Sequence, residues 1–214
     1  MTNKEKKEAR EKKIKSKKRK ATFGAIVTLI SAIYKLVTGF FVGLIFMASG
    51  VYTFAIFLCK LLYAKNIDSD LHTQYKTYRN MGLLLFVVSV FFLIANIITL
   101  NDEPKDYGLV FDIIISAFLL ILFVLSLKGY FKKRANANIL TRAIKVLSLS
   151  TALINLVLVE KLFLYYLYNN LNIDFLYIHK WFVLIISGLL VLIGILMLLY
   201  YLVRYTKYKN KRKA

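Results

Sequence analysis

Long apolar segments separated by short charged segments make up most of this chain. Four of the apolar segments are unambiguous and run over residues 81–100, 109–127, 143–168 and 181–204. Each approaches or exceeds the roughly 20 residues that an α-helix needs to cross about 30 Å of hydrocarbon. Apolar residues make up 59% of the chain, and the charged residues are gathered between the apolar segments. The pattern predicts an all-α polytopic transmembrane helical bundle.

The first apolar segment, residues 21–63, is harder to interpret. It has 43 residues and is interrupted only by Lys35 and Lys60. A single straight helix of this length would be about twice as long as a membrane is thick. The segment is therefore either an interfacial helix followed by one span, or two spans joined by a tight turn.

The distribution of Lys and Arg favours two spans. With six spans in total, 27 Lys and Arg residues lie on the side of the termini and two, Lys105 and Lys180, on the other side. With five spans the same residues divide 13 to 16. Positively charged residues collect on the cytoplasmic side, so we predict six spans with both termini cytoplasmic. Small residues place the turn at residues 47–50, Met-Ala-Ser-Gly.

The prediction divides the chain into two basic cytoplasmic tails, 1–20 and 206–214, and a transmembrane helical bundle at 21–205. The spans are expected at about 22–45, 50–64, 81–100, 109–127, 143–168 and 181–204. The second span would be only about 22 Å long, so the Lys60 ammonium would have to reach toward the interface.

The N-terminal tail carries eleven Lys and Arg residues and three Glu residues. It has no apolar stripe, so we expect it to be mobile. Such a tail orients the protein and contacts anionic lipids of the bilayer. Nucleic acid is the less favoured partner, because the positive charge lies beside the spans, where membrane topology already accounts for it.

Polar residues of the first span recur at steps of three and four. They are Gly24, Thr28, Ser31, Lys35 and Thr38, which share one helical face. Such a stripe faces other helices or a cavity, or else marks a helix lying in the interface. The charge distribution favours the first alternative.

Five polar residues within the spans are candidates for a functional cluster: Lys35, Asn96, Asp112, Asn155 and Glu160. Charged residues inside a membrane are costly, usually paired, and functional candidates. Helical rise places Lys35, Asn96 and Glu160 at about 21–25 Å from the cytoplasmic end. We therefore predict an outer-half polar cluster in which Lys35 meets Glu160 or Asp112, and asparagines supply hydrogen bonds.

Glu160 needs a partner on another helix, because the adjacent Lys161 does not face it. Two alternatives remain. Glu160 can be protonated, or a shorter fifth span can bring Glu160 and Lys161 to the external headgroups. Close helix packing is predicted separately at Gly39, Gly43, Gly188 and Gly194, where small residues let two backbones approach.

The sequence contains no motif of an enzyme active site, so we predict no catalytic residue, no cofactor and no enzymatic activity. Cys59 is the single cysteine, which excludes an intramolecular disulfide and a thiolate cluster. His72 and His179 fall in different predicted loops, so no metal site is expected.

About half the chain resembles a known group of membrane proteins. The segment RAIKVLSLSTALINLVLVEKLFL at 142–164, the basic turn before it, and YKTYRNMG at 75–82 resemble uncharacterised multi-span membrane proteins of low-GC Gram-positive bacteria. The resemblance implies a multi-pass protein of the bacterial cytoplasmic membrane and no defined activity.

Two classes of function remain open from the sequence. The first is small-solute binding or transport through the polar cluster. The second is a non-transporting interaction or accessory subunit, whose basic tails bind lipid or a protein partner and which can form a homo-oligomer. The spans contain no proline, whereas many transporters bind substrate at helices broken by Gly or Pro.

Overall fold

The computed structural model of the protein describes residues 3–102, 108–132, 138–171, 173 and 176–213. Six α-helices run through these residues: α1 (Asn3–Val42), α2 (Leu44–Asn66), α3 (Leu71–Ile98), α4 (Leu109–Phe131), α5 (Ile139–Leu171) and α6 (Leu176–Lys213). All six are long and apolar enough to cross a membrane. The predicted six-span helical fold is confirmed. Lys105, one of the two basic residues predicted outside, lies beyond the described residues.

The turn between the first two spans is at Gly43, four residues before the predicted position. Gly43 has φ 128° and is the only residue between α1 and α2. Side chains other than hydrogen strongly disfavour this conformation, whereas glycine adopts it readily. Residues 47–50 instead belong to α2, so α2 has 23 residues. At about 34 Å it is long enough to cross the bilayer, and the predicted short second span is wrong.

Glycines set the separation of two helix pairs. A Cβ atom on Gly39 would lie 2.4 Å from the backbone nitrogen of Met47, and one on Gly50 would lie 2.7 Å from Leu36 Cγ. α1 and α2 therefore approach closely near their turn. Gly194 makes the equivalent approach between α6 and Phe86 of α3, where a Cβ would lie 2.7 Å from the Phe86 Cα.

Two of the four glycines that we predicted at helix contacts do not lie at one. Gly43 forms the turn rather than a helix contact, because it is the residue at which the chain reverses. A Cβ atom on Gly188 would have no atom within 4 Å. The spacing of small residues identifies positions where helices can approach, but the orientation of the neighbouring helix decides whether they do.

The N-terminal tail is helical where we predicted a mobile segment, since α1 begins at Asn3. Lys, Glu, Arg and Ala dominate residues 3–21, and all four favour helix, with no Gly or Pro to interrupt it. The Lys18 ammonium also lies 2.9 Å from the Asp68 carboxylate. That ion pair joins the tail to the short loop between α2 and α3.

The helices pack as a central group with two peripheral members. Within the described residues, α3 and α5 each contact α2, α6 and each other, α1 packs mainly on α2, and α4 packs on α5. In the apolar part of α2, 56% of the residues are buried, against 17% in α4. Tyr34 of α1 and Phe118 of α4 touch, with ring centroids 4.6 Å apart. α4 is thus the helix that the bundle covers least.

Hydroxyl contacts join three of the central helices. The Ser89 hydroxyl on α3 lies 3.0 Å from the Tyr52 hydroxyl on α2 and 3.1 Å from the Leu190 carbonyl on α6. All three helices therefore meet at one serine. At the end of the bundle that carries the termini, Asn138 caps α5 by accepting the Thr141 backbone N–H at 2.9 Å.

Candidate functional site

The polar stripe of α1 faces the interior of the bundle, as predicted. Thr28, Ser31, Lys35 and Thr38 are all buried, and Lys35 is fully so. The opposite face carries large apolar residues such as Ile30, Ile33 and Val37, which are more than half exposed. α1 is therefore an amphipathic span whose polar side packs on α2. We call this line of residues, 24–38 on the inner face, the polar seam.

Lys35 lies where α1, α2 and α5 meet. Its ammonium donates to Asn155 Oδ1 of α5 at 2.6 Å and to Thr53 Oγ1 of α2 at 3.2 Å. Thr53 in turn donates its own proton to the Ser49 carbonyl at 2.7 Å. The threonine hydroxyl is therefore left as an acceptor for the lysine.

The Lys35 ammonium makes no ion pair with any described carboxylate, because the described salt bridges involve other residues. The predicted pairing of Lys35 with Glu160 or Asp112 is wrong. Its described partners are two neutral oxygens, which accept hydrogen bonds but carry no compensating charge. Among the described residues, the Lys35 side chain therefore has hydrogen-bond acceptors but no compensating charge.

Three N–H groups at this junction have no acceptor among the described residues. An ammonium has three protons, and the described residues accept two of them. Asn155 is fully buried, and its amide Nδ2 has no partner within the described part of the chain. The orientation of that amide follows from the lysine, since an ammonium requires the carbonyl oxygen to face it. The junction therefore has N–H groups that can donate hydrogen bonds to a bound acceptor.

Lys60 of α2 repeats the arrangement nearer the end of the bundle that carries the termini. Its ammonium donates to Thr28 Oγ1 of α1 at 2.5 Å, and Thr28 donates to the Gly24 carbonyl at 2.8 Å. Each helix of the α1/α2 pair thus contributes one lysine and one threonine. Here the ammonium borders a cavity instead of lying in a closed contact.

That cavity has a volume of about 480 Å³. It is bounded by α1, α2, α5 and the end of α4, and we call it the basic pocket. Its lining consists of Lys17, Lys20, Ala21, Gly24, Lys60, Tyr63, Lys132, Thr141, Ile144 and Ser148. Four lysines and no acidic residue are in this set. The polar seam begins at Gly24 in the pocket and reaches Lys35 three turns further along α1.

Glu160 has its partner on α6. Its carboxylate oxygen Oε2 lies 2.6 Å from Nδ1 of His179, and both side chains are largely buried. The expectation of a partner on another helix is confirmed, although the partner differs. His179 lies in the first turns of α6 and His72 in α3, so neither is in the loop predicted for it. Lys161 lies over the ring of Tyr165, 5.1 Å from its centroid.

The remaining two predicted cluster residues lie at separate contacts. Asn96 donates to Ser187 Oγ of α6 at 3.2 Å and is fully buried. Asp112 is buried in the first turn of α4, where a negative charge is favoured by the helix dipole. Of the five residues, the described hydrogen bonds join only Lys35 and Asn155. Asn96, Asp112 and Glu160 have their contacts elsewhere, toward the end of the bundle that does not carry the termini.

Sequence reasoning missed Thr53, Lys60 and His179 as members of these sites. Thr53 lies within the stretch assigned to the second span. Because the turn was predicted at residues 47–50 instead of Gly43, the residue of α1 that faces Thr53 could not be predicted. Within the described residues, no group of three His, Cys, Asp or Glu side chains could hold a metal ion.

Six helices that are each long and apolar enough to cross a membrane define a multi-pass integral membrane protein. The comparison with protein-family models found no match, and neither the curated proteins nor the solved structures gave one. The assignment of function therefore depends on the chemistry of the polar seam and the basic pocket.

Proposed function

We propose that the protein binds a small anionic solute at Lys35 and moves it through, or captures it within, the membrane. The observation that carries this proposal is the fully buried Lys35 ammonium, held by Asn155 and Thr53 without a described counter-ion. A charge at this depth costs about 2.5–3.5 kcal/mol on insertion scales. A solute that brings a negative charge and accepts the remaining N–H groups offsets that cost.

The polar residues next to Lys35 on α1 support a solute-binding role rather than a purely structural one. Thr28 and Ser31 lie between the basic pocket and Lys35 on the same face of α1. They provide hydroxyl groups at successive turns of the helix. The inner face of α1 thus carries polar side chains from the edge of the basic pocket to the Lys35 ammonium.

The test uses the full chain purified in a non-ionic detergent, with chloride and acetate as probes. We expect at least one probe to raise the thermal unfolding midpoint of the wild type and to have no effect on the Lys35→Met variant. Lys60→Met is the matched control, since Lys60 has the same type of threonine partner, and it should retain the response. A response that is equal in wild type and Lys35→Met, or no response to any probe, contradicts the proposal.

We further propose that both termini face the cytoplasm of a bacterial cell. The 27 to 2 distribution of Lys and Arg supports this orientation. In a Cys59→Ser background, Asp102→Cys should react with a membrane-impermeant maleimide on intact cells. Lys207→Cys, at the other end of the bundle, should react only after permeabilisation. The reverse pattern would invert the topology.

A membrane interaction subunit is the second candidate, and α4 favours it. Only 17% of the apolar part of α4 is buried, and Ile121 on its outer face is 58% exposed. A photo-reactive label at Ile121→Cys should then cross-link to one discrete protein in native membranes. Val87→Cys on α3, 53% exposed, is the matched control. Equal, diffuse lipid labelling at both positions would count against this function.

A further inference from the structure

The basic pocket has the chemistry of a phosphate site that is separate from the Lys35 junction. Lys17 and Lys20 of α1, Lys60 of α2 and Lys132 after α4 converge on it. Lysines bind phosphate as mobile point charges. Among the described residues that line the pocket none is acidic, and the Asp68 carboxylate is paired with Lys18. The cavity therefore has a concentrated positive charge that its own lining does not neutralise.

The rest of the lining indicates an organic phosphate. Tyr63 supplies a hydroxyl group, and Ala21 and Ile144 supply an apolar floor. The Thr141 and Ser148 hydroxyls also line the pocket but already donate to Asn138 Oδ1 and the Ile144 carbonyl. At about 480 Å³, the cavity is within the range of sites for small organic ligands and far larger than one phosphate ion requires. The lysines of α1 flank the start of its apolar segment, which places the pocket at the headgroup level of the bilayer.

We propose that this pocket binds an anionic organic phosphate, supplied either by a phospholipid headgroup or by a soluble phosphate ester. The phosphate lies among the lysine ammonium groups, and the attached organic group contacts Ala21 and Ile144. This site does not depend on solute binding at Lys35, which lies deeper in the bundle and has its own donors.

The glycine at position 24 allows a test that leaves every charge in place. A Cβ atom there would have no neighbour within 4 Å, so Gly24→Leu starts its side chain in open space at the pocket lining and favours helix. Gly188 of α6 has the same open surroundings. Gly188→Leu is thus a matched control that adds the same side chain elsewhere on the bundle.

The experiment measures thermal unfolding of the full chain in non-ionic detergent with three probes. These are dihexanoyl phosphatidylglycerol, glycerol 3-phosphate and dihexanoyl phosphatidylcholine. Stabilisation by phosphatidylglycerol at much lower concentration than by glycerol 3-phosphate identifies a lipid headgroup as the source. Equal potency of these two probes identifies a soluble ester. Stabilisation by neither, or equal stabilisation by phosphatidylcholine, overturns the proposal.

Variants locate the response. We expect Gly24→Leu to abolish it and Gly188→Leu to retain it. The double variant Lys17→Gln/Lys20→Gln should raise the half-maximal concentration about 25-fold, at about fivefold for each lysine near an anionic group. Lys76→Gln/Lys207→Gln removes the same charge from exposed positions outside the pocket and should change it less than twofold. A full response in Gly24→Leu, or equal losses in the two double variants, would place the binding elsewhere and refute the site.

Discussion

Lys35 and Lys60 lie toward opposite ends of the α1/α2 helix pair. They have the same type of hydrogen-bond partner, but the packing around them differs. Each ammonium donates to a threonine on the facing helix. Around Lys35 the helices are close, because Gly50 packs directly on Leu36. Around Lys60 they have separated, and Gly24 faces open space.

The difference shows how packing decides what a lysine in an apolar segment can do. Where the helices are in close contact, the Lys35 ammonium is buried and donates hydrogen bonds to residues within the bundle, including Asn155 of α5. Where they part, the charge borders a cavity and joins a cluster of lysines. The first arrangement suits recognition of one small group, and the second suits binding of an accessible anion.

The largest effect is expected from removing the partner of the enclosed lysine. Asn155→Leu leaves the Lys35 ammonium with one described acceptor and should destabilise the fold by about 2–3 kcal/mol, because hydrogen bonds to buried charges are strong. Unfolding by SDS titration in mixed micelles measures this loss.

A double-mutant cycle tests whether that loss comes from Lys35. In Lys35→Met/Asn155→Leu neither the charge nor its partner remains, so most of the stability lost in Asn155→Leu should return. If the double variant is as unstable as the sum of the single variants, Asn155 acts through other contacts. That result would contradict the inference that Lys35 depends on Asn155 as its partner within the bundle.

Close contact near the turn is the next feature to test. Gly50→Ala places a Cβ 2.7 Å from Leu36 Cγ and 2.9 Å from the Leu36 backbone nitrogen, so α1 must shift. We expect a loss of about 2 kcal/mol, measured by the same SDS titration. Gly188→Ala, which meets no atom within 4 Å, should cost nothing. Equal stability of the two variants would contradict the close packing.

A smaller effect is expected at the open end. Thr28→Val removes the described acceptor of Lys60, but this ammonium borders the cavity and has access to other partners. The cost should therefore stay below about 1 kcal/mol. Thr53→Val, at the enclosed lysine, should cost more. Equal losses for the two threonines would show that the two ends do not differ in the way their surroundings suggest.

The smallest effect concerns the tail outside the spans. The Lys18 ammonium lowers the pKa of the Asp68 carboxyl below its ordinary value of 3.8, chiefly by hydrogen bonding. Because the folded pKa is lowered, this contact contributes above pH 3.8 and is lost as the pH falls through the lowered pKa. Asp68→Asn should mimic the low-pH state and slightly raise the mobility of a spin label at Ser16→Cys, in a Cys59→Ser background.

Asp70 provides the control for this measurement. Its carboxylate accepts the Thr73 backbone N–H and caps α3 instead of contacting α1. Asp70→Asn should leave the label at position 16 unchanged at neutral pH. If both variants mobilise the label equally, the Lys18 ion pair does not hold the tail.

The number of spans could be predicted because hydrophobic length and charge placement act locally along the chain. The turn at Gly43 could not, because positive φ is a property of the folded backbone, and Gly50 was an equally good candidate by composition. The sequence also identified Lys35, Asn155 and Glu160 as polar residues within spans. It paired Lys35 and Glu160 incorrectly, since pairing depends on the rotation of α5 and α6 about their axes. His179 was missed because α6 begins five residues before the predicted span.

The length of α1 has a structural consequence. This helix has 40 residues and is about 60 Å long, twice the thickness of the hydrocarbon layer. The first glycine in it is Gly24, and no proline interrupts it. One unbroken helix therefore joins the aqueous N-terminal segment to the span that carries Lys35, and the same backbone hydrogen bonding runs through both.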